Sequence, residues 1–264
     1  MSKDSLAVAV ADDGSLITIP ANGATRGVIM GVSGSGKTQG AMVLLAELAQ
    51  CENISVVIID PKKVGFFPCV GRFDIITDEN LFTPVIEAYY GEMMRRYEWM
   101  KDHRTATLPR NADFPLLWLI IDEIAEFLSG DKKTVQARTD VLTRIAALSR
   151  QANMSFIIIG QQLDTTVIPS KFRSNMVDTQ MLFRTASMQH TRLIVADGFE
   201  DEAPAHQIPA KNPGQGYFIS PNTDGHYVAG KGLYITDSQL ADICREHSNL
   251  YCPAVFLDDL EPES

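Results

Sequence analysis

Long apolar runs, cysteine and positive charge are all scarce in this sequence. No apolar run exceeds six residues, Leu116–Ile121 being one of that length, whereas a membrane-spanning helix needs about 20. The first residues, Met1-Ser2-Lys3-Asp4-Ser5, lead into an alternating stretch rather than an apolar core with a cleavage site. No secretory signal is therefore expected, and the reading is a cytoplasmic protein with no intrinsic membrane segment. The four cysteines, Cys51, Cys69, Cys244 and Cys252, form no CxxC pair and have no histidines at ligand spacing. That pattern favours reduced thiols over a disulfide framework or a metal site. Lys and Arg total 23 against 33 Asp and Glu, a net charge of −10. This excludes nucleic-acid binding by bulk surface charge and leaves room for a local basic patch only.

What is present is an alternation of short apolar runs with longer helical patterns, which predicts an α/β protein. The 264 residues, 45% hydrophobic and 21% charged, suffice for one full-sized core. Leu6–Val10 and Leu16–Ile19 flank Asp12-Asp13-Gly14 and predict an N-terminal β-hairpin. Val28–Met30 is a short apolar run that ends in glycine, and Gly40–Gln50 has helical spacing. Ile54–Ile59, Leu116–Ile121 and Phe156–Ile159 read as buried strands, the first a continuous β-branched run suited to a parallel sheet. Leu81–Met100 and Val135–Arg150 carry amphipathic helical patterns. Further on, Met181–Phe183 predicts a strand and Met188–Val195 a short helix. Tyr217–Ile219, Tyr227–Ala229 and Leu233–Ile235 predict short closing strands, and Ser238–Arg245 a last helix. The expected organisation is a hairpin over 1–26, a core over 27–250 with a mostly parallel central sheet, and an acidic tail over 251–264.

Gly31, Val32, Ser33, Gly34, Ser35, Gly36, Lys37 and Thr38 match G-x-x-x-x-G-K-[ST] in full, after a strand and before a helix. Backbone N–H groups must close around a phosphate there, and Gly34 and Gly36 permit that approach. The helix N-terminus adds positive potential. Lys37 is placed to neutralise the β- and γ-phosphates of ATP, and the Thr38 hydroxyl to ligate Mg²⁺.

The strand Leu116–Ile121 delivers Asp122-Glu123 to its C-terminal end. Asp122 is expected to hold Mg²⁺ through water, and Glu123 to polarise an attacking water as general base. A kinase draws its nucleophile from the second substrate and needs no such acid, so the pair favours hydrolysis. Two acids also suit the start of a helix, a reading that the upstream phosphate loop makes the weaker one. Gly160-Gln161 ends the Phe156–Ile159 run, where Gln161 can contact the γ-phosphate or the lytic water.

Beyond these motifs the sequence resembles the FtsK/SpoIIIE-type motor ATPases of the FtsK–HerA superfamily. The resemblance rests on Asp60-Pro61-Lys62, on Glu92-Met93-Met94-Arg95-Arg96-Tyr97, on Ala146–Ala152 followed by a strand and Gly160-Gln161, on Thr191-Arg192, and on Gly214–Phe218 with Ser220-Pro221. It implies a RecA-like P-loop NTPase core and a homohexameric ring. It further implies ATP hydrolysis at subunit interfaces and double-stranded DNA in a central channel. It also implies an arginine supplied across the interface. Arg150 matches the family position, with Arg144 as fallback and Arg173 and Arg192 as weaker candidates, although a cation also suits a helix end. Three departures stand out: Gln162 and Gln180 where family members commonly have arginine, and a longer Leu128–Thr134 stretch.

Basic residues able to grip DNA phosphates are Lys132 and Lys133 after the acidic strand, or Lys101, Arg104 and Arg110 before it. The main expectation is an ATP-driven DNA translocase that takes targeting or membrane attachment from a separate partner. The alternatives are a protein-secretion or assembly ATPase of the same family and a nucleotide-switched ring without motor activity. A small-molecule kinase is disfavoured by Asp122-Glu123.

Overall fold

The computed structural model describes residues 4–161, 178–195, 199–258 and 260. Ten strands among these form one sheet in the order β2-β1-β10-β9-β8-β3-β7-β6-β4-β5. They are β1 (Ser5–Ala11), β2 (Leu16–Pro20), β3 (Arg26–Met30), β4 (Ile54–Ile59), β5 (Asp74–Ile76), β6 (Leu116–Ile121), β7 (Met154–Gly160), β8 (Thr179–Phe183), β9 (Gln215–Ile219) and β10 (Val228–Gly232). From β8 through β3, β7, β6 and β4 to β5 all pairings are parallel. From β8 outward through β9, β10, β1 and β2 they are antiparallel. The amino-terminal hairpin is thus continuous with the sheet through β10.

The helices are α1 (Lys37–Ala49), α2 (Glu79–Asp102), α3 (Ile124–Phe127), α4 (Lys132–Leu148), α5 (Met188–Ile194) and α6 (Asp237–Glu246). Each central strand is apolar throughout, because both its faces are covered. Val56, Ile58, Trp118 and Ile120 point to the side packed by α1 and α6. Val57, Ile59, Leu119 and Ile121 point to the side packed by α2, α3 and α4. Both long helices have a side-chain cap: Asp78 accepts from Asn80 N–H at the start of α2, and Asp131 from Lys133 and Thr134 N–H at the start of α4.

Arg96, within the Glu92–Tyr97 motif, is 1% exposed. It donates to the carbonyls of Ala152 and Pro115 at 3.0 and 2.9 Å and pairs with Glu92. This anchors α2 against the amino-terminal ends of β6 and β7, a structural role for that motif. Gln180 is buried in β8, where it donates to the Ile194 carbonyl at 3.1 Å and accepts from the Tyr227 hydroxyl. It ties β8 to α5 and to the approach to β10.

The structure corrects one expected strand. The stretch Tyr227–Ala229 and Leu233–Ile235 is not two strands: β10 runs through Gly230-Lys231-Gly232, and 233–235 lies outside any strand. The glycines that look like a break are required inside the strand, since a Cβ on Gly230 would stand 2.4 Å from the Val10 carbonyl oxygen. Strand β5 and helix α3, three and four residues long, carry too little pattern to be read in advance. Residues 251–257, grouped with an acidic tail on sequence grounds, pack on the body. Tyr251 donates to Asp74 at 2.5 Å, Ala254 N–H donates to Asp74 at 3.0 Å, and the Phe256 ring stands edge-on to Tyr89.

Phe183, at the end of β8, fills a space left by glycines. A Cβ on Gly31, Gly40 or Gly232 would come within 2.9, 3.0 or 3.3 Å of it. It thereby sets the height of the Gly31 loop above the sheet. Phe183→Ala is expected to cost about 3–5 kcal/mol by opening a cavity beneath that loop. Urea unfolding measures this directly, and a loss below about 1 kcal/mol contradicts the packing role.

Candidate nucleotide and catalytic edge

Parallel registry places four strand ends side by side. Met30 of β3 is level with Gly160 of β7, Ile158 of β7 with Ile121 of β6, and Ile121 with Ile59 of β4. The residues that follow these ends, Gly31, Gln161, Asp122 and Asp60, therefore share one edge of the sheet.

The Gly31–Thr38 loop is held from three sides. Gly31 N–H donates to the Gly160 carbonyl at 3.2 Å, Val32 N–H to the Arg184 carbonyl at 2.8 Å, and Gly214 N–H to the Ser35 carbonyl at 2.8 Å. Gly36 adopts φ 118°, which an L-residue with a side chain rarely reaches, and a Cβ there would stand 3.0 Å from the Gly214 backbone. Ser33, Gly34 and Thr38 stay exposed. The 13-residue α1 begins at Lys37 with no side-chain cap, so its first N–H groups face the loop opening. The Lys37 ammonium donates to the Val32 carbonyl at 3.1 Å. Burial holds the Lys37 pKa below the ordinary lysine value, against the pull of Glu123.

Asp60 is 1% exposed, and its carboxylate accepts from the N–H groups of Lys62, Lys63 and Gly65 at 3.1, 3.1 and 2.9 Å. It folds the 60–65 loop into a fixed platform at the acidic edge. Glu123 has φ 45°, a left-handed conformation that costs a non-glycine residue about 1–2 kcal/mol. Its carboxylate accepts from the Lys62 ammonium at 2.7 Å. The sequence marks Asp60-Pro61-Lys62 as a motif and puts Lys62-Lys63 near the catalytic edge, able to stabilise a ring; the structure shows Asp60 shaping the loop and Lys62 bound to the candidate base. Gly214 as a brace on the phosphate loop was likewise signalled only by its motif.

Burial pushes the Asp122 carboxyl up to about 6, the neighbouring charges of Asp60 and Glu123 adding to the effect. A half-buried, under-compensated carboxylate beside an open helix start with a threonine fits a magnesium ion, which takes few protein ligands and completes its shell with phosphates and water. No group of three or more candidate metal ligands occurs among the described residues.

The remaining sequence candidates fall elsewhere. Arg150 is exposed in the turn after α4. It lines a cleft of about 640 Å³ together with Arg26, Leu116 and Asn153, at the amino-terminal ends of β3, β6 and β7. That is the far end of the strands from Lys37 and Glu123 of the same chain. Arg104, also exposed, lies between the end of α2 and the start of β6, on that same far edge. Arg110, beside it, donates to the Ala21 and Glu52 carbonyls at 2.9 and 3.3 Å and serves packing. Lys132 and Lys133 are exposed at the start of α4, on the catalytic side. Lys132-Lys133 and Arg104 thus do not form one patch. Arg144 stands over the Tyr90 ring, and Arg192 is exposed on α5. Gln162 and Arg173 lie outside the described residues.

Fold and edge together define a P-loop α/β protein of the kind built for nucleoside triphosphates. Comparison with known proteins narrows this. Residues 1–114 match the model of the FtsK/SpoIIIE family. The chain is 26% identical over 280 aligned residues to DNA translocase SftA of Bacillus subtilis, covering 98% of this chain and 28% of that protein. It is 24% identical to DNA translocase FtsK of Bacillus cereus over 65% of this chain and 24% of that protein. It thus spans about a quarter of the length of these curated relatives. Among solved structures it superposes on the cytoplasmic domain of the type VII secretion ATPase EccC of Thermomonospora curvata with a TM-score of 0.74 at 21% identity, covering 99% of this chain and 33% of that one. With the pCW3 conjugation coupling protein TcpA, solved as a monomer with ATPγS, the TM-score is 0.75 at 18% identity, over 93% of this chain and 71% of that one. The sequence is thus similar to FtsK/SpoIIIE-family translocases, most directly over its first 114 residues, and the fold is shared with these ATPases. Among the described residues no helix is long and apolar enough to cross a membrane.

The Asp122 environment carries a pH signature. The folded state holds this proton more tightly than the unfolded chain, whose carboxyl keeps the ordinary value of 3.8. Stability contributed by the protonated form is present below that value and is lost as pH rises to about 6. Above it the buried charge costs about 2–3 kcal/mol. Asp122→Asn is therefore expected to raise the melting temperature of the nucleotide-free protein near pH 8 and to leave it little changed near pH 4. Equal shifts at both pH values contradict this account.

Proposed function

We propose that this chain is the motor domain of an ATP-driven DNA translocase of FtsK/SpoIIIE type, acting on double-stranded DNA as a ring, most simply a hexamer. The observation that carries the reading is the shared edge: a complete phosphate loop, Asp122-Glu123 and Gln161 at neighbouring ends of parallel strands. In this reading the loop N–H groups and Lys37 bind the phosphates of ATP, and Thr38 and Asp122 hold Mg²⁺. The ion supplies charge neutralisation at the phosphates. Glu123 accepts the proton of the lytic water, and Gln161 orients that water or the γ-phosphate.

The placement of Arg150 supports interfacial sites. It cannot reach the phosphate loop of its own chain from the opposite strand ends, but a neighbour docked edge to edge would present it there. DNA as substrate is supported by the translocases SftA and FtsK among the relatives. The net charge of −10 confines phosphate contact to small basic sets such as Lys132-Lys133 or Arg104. The secretion ATPase EccC among the structural neighbours favours, as second reading, a protein substrate for the same machinery.

Three measurements decide between these readings. Lys37→Ala is expected to abolish ATP turnover with the fold intact by circular dichroism. Glu123→Gln is expected to lower kcat by about 100-fold or more while ATP stays bound. Duplex DNA is expected to raise wild-type turnover, with the stimulation declining steeply as salt rises. Turnover indifferent to DNA but raised by a secreted peptide favours the second reading. Unchanged turnover in Glu123→Gln contradicts hydrolysis through that carboxylate.

A further inference from the structure

The residue assigned as general base is engaged by a neighbour. A base must lie within about 2.6–3.2 Å of the proton it abstracts, yet Glu123 Oε2 is bonded to Lys62 Nζ at 2.7 Å. The two partners differ in freedom. The Glu123 side chain is 12% exposed and grows from a strained backbone, whereas the Lys62 side chain is 51% exposed. The Lys62 backbone is fixed by Asp60, which accepts its N–H and those of Lys63 and Gly65. The ammonium is therefore the movable member of the pair, swinging on a rigid base. It belongs to the same strand-end edge as the loop that carries Lys37.

We propose that Lys62 is a latch on Glu123: it holds the carboxylate in an ion pair while the site is empty, and the terminal phosphate of a bound nucleoside triphosphate draws the ammonium away and frees Glu123 for the lytic water. The inference rests on the ATPase reading above. It makes Lys62 a positioning residue that links nucleotide occupancy to the readiness of the base, and it gives the Asp60-Pro61-Lys62 motif a job. The competition is chemically balanced: one ammonium exchanges a carboxylate for a more highly charged phosphate, and no bond is made or broken. A surface ion pair would be worth little. This one has a largely buried carboxylate, but its exposed ammonium lets a stronger anion displace it.

The test compares steady-state ATP turnover of the wild type with Lys62→Met and Lys62→Arg. Methionine keeps the length of the stem and removes the charge. Lys62→Met is expected to raise basal kcat by up to about tenfold, the gain when a competent state grows from about a tenth of molecules to nearly all. Its KM for ATP is expected to rise as well, because the phosphate loses a cation. Lys62→Arg is expected to keep the latch and show no rise in kcat. The double variant Lys62→Met with Glu123→Gln is expected to lose turnover, which shows that the gain runs through Glu123. A fall in kcat for Lys62→Met, or no change, overturns the latch while wild-type turnover still stands. If wild type and Lys62→Met both lack any turnover that Lys37→Ala removes, the ATPase reading itself has failed. Amine labelling of Lys62, followed by peptide mass, checks the pair without turnover: Glu123→Gln and saturating Mg-ATPγS are each expected to change its reactivity relative to the nucleotide-free wild type. Identical reactivity in all three states contradicts the pair and the exchange.

Discussion

Everything at this edge depends on parallel pairing in register. Strands β4, β6, β7 and β3 run the same way, β7 and β3 ending two residues beyond β6 and β4, so residues far apart in the chain are delivered to one edge: Asp60, Asp122, Gln161 and Gly31. A slip of one residue in β6 would send Asp122 to the opposite face of the sheet. Register is fixed because every residue of β4 and β6 is buried, so each face must meet its own set of helices. The chemistry is thus positioned by hydrophobic burial, not by contacts among the polar groups themselves.

The same arrangement explains where polar groups end up. One end of the strands gathers three carboxylates and two lysines, with Asp122 pushed toward protonation by burial. The other end gathers arginines, some serving structure, such as Arg96 and Arg110, and others exposed, such as Arg104 and Arg150. A single chain therefore has acid and phosphate-binding groups at one edge and a free cation at the opposite edge. That polarity suits head-to-tail association, in which each subunit meets its neighbour with unlike edges and a ring can close.

Much of this was legible in the sequence. The phosphate loop announced itself because backbone closure on a phosphate demands glycine at fixed spacing, and β4 and β6 because burial on both faces demands unbroken apolar runs. Asp122 and Glu123 were found from the strand that carries them. What escaped had short-range or purely spatial causes. Helix α3 and strand β5 are too short to show a period. β10 reads as two strands in the sequence because Gly230 and Gly232 look like punctuation, whereas the nearness of the Val10 carbonyl and Phe183 leaves no room for a Cβ there. In the chain β4 lies between the loop strand and the acidic strand, but in the sheet β7 does, since crossover connections reorder strands. The Lys62–Glu123 pair joins residues 61 positions apart, beyond the reach of any local pattern.

The central claim is that a complete catalytic site is shared by two chains, one giving Lys37 and Glu123 and the next giving Arg150. Mixing two inactive proteins tests it: Lys37→Ala keeps its arginine, and Arg150→Ala keeps its phosphate loop. The account expects each alone to lack turnover and the mixture, once subunits exchange, to recover it. No recovery in a mixture shown by mass to be assembled from both chains would contradict it.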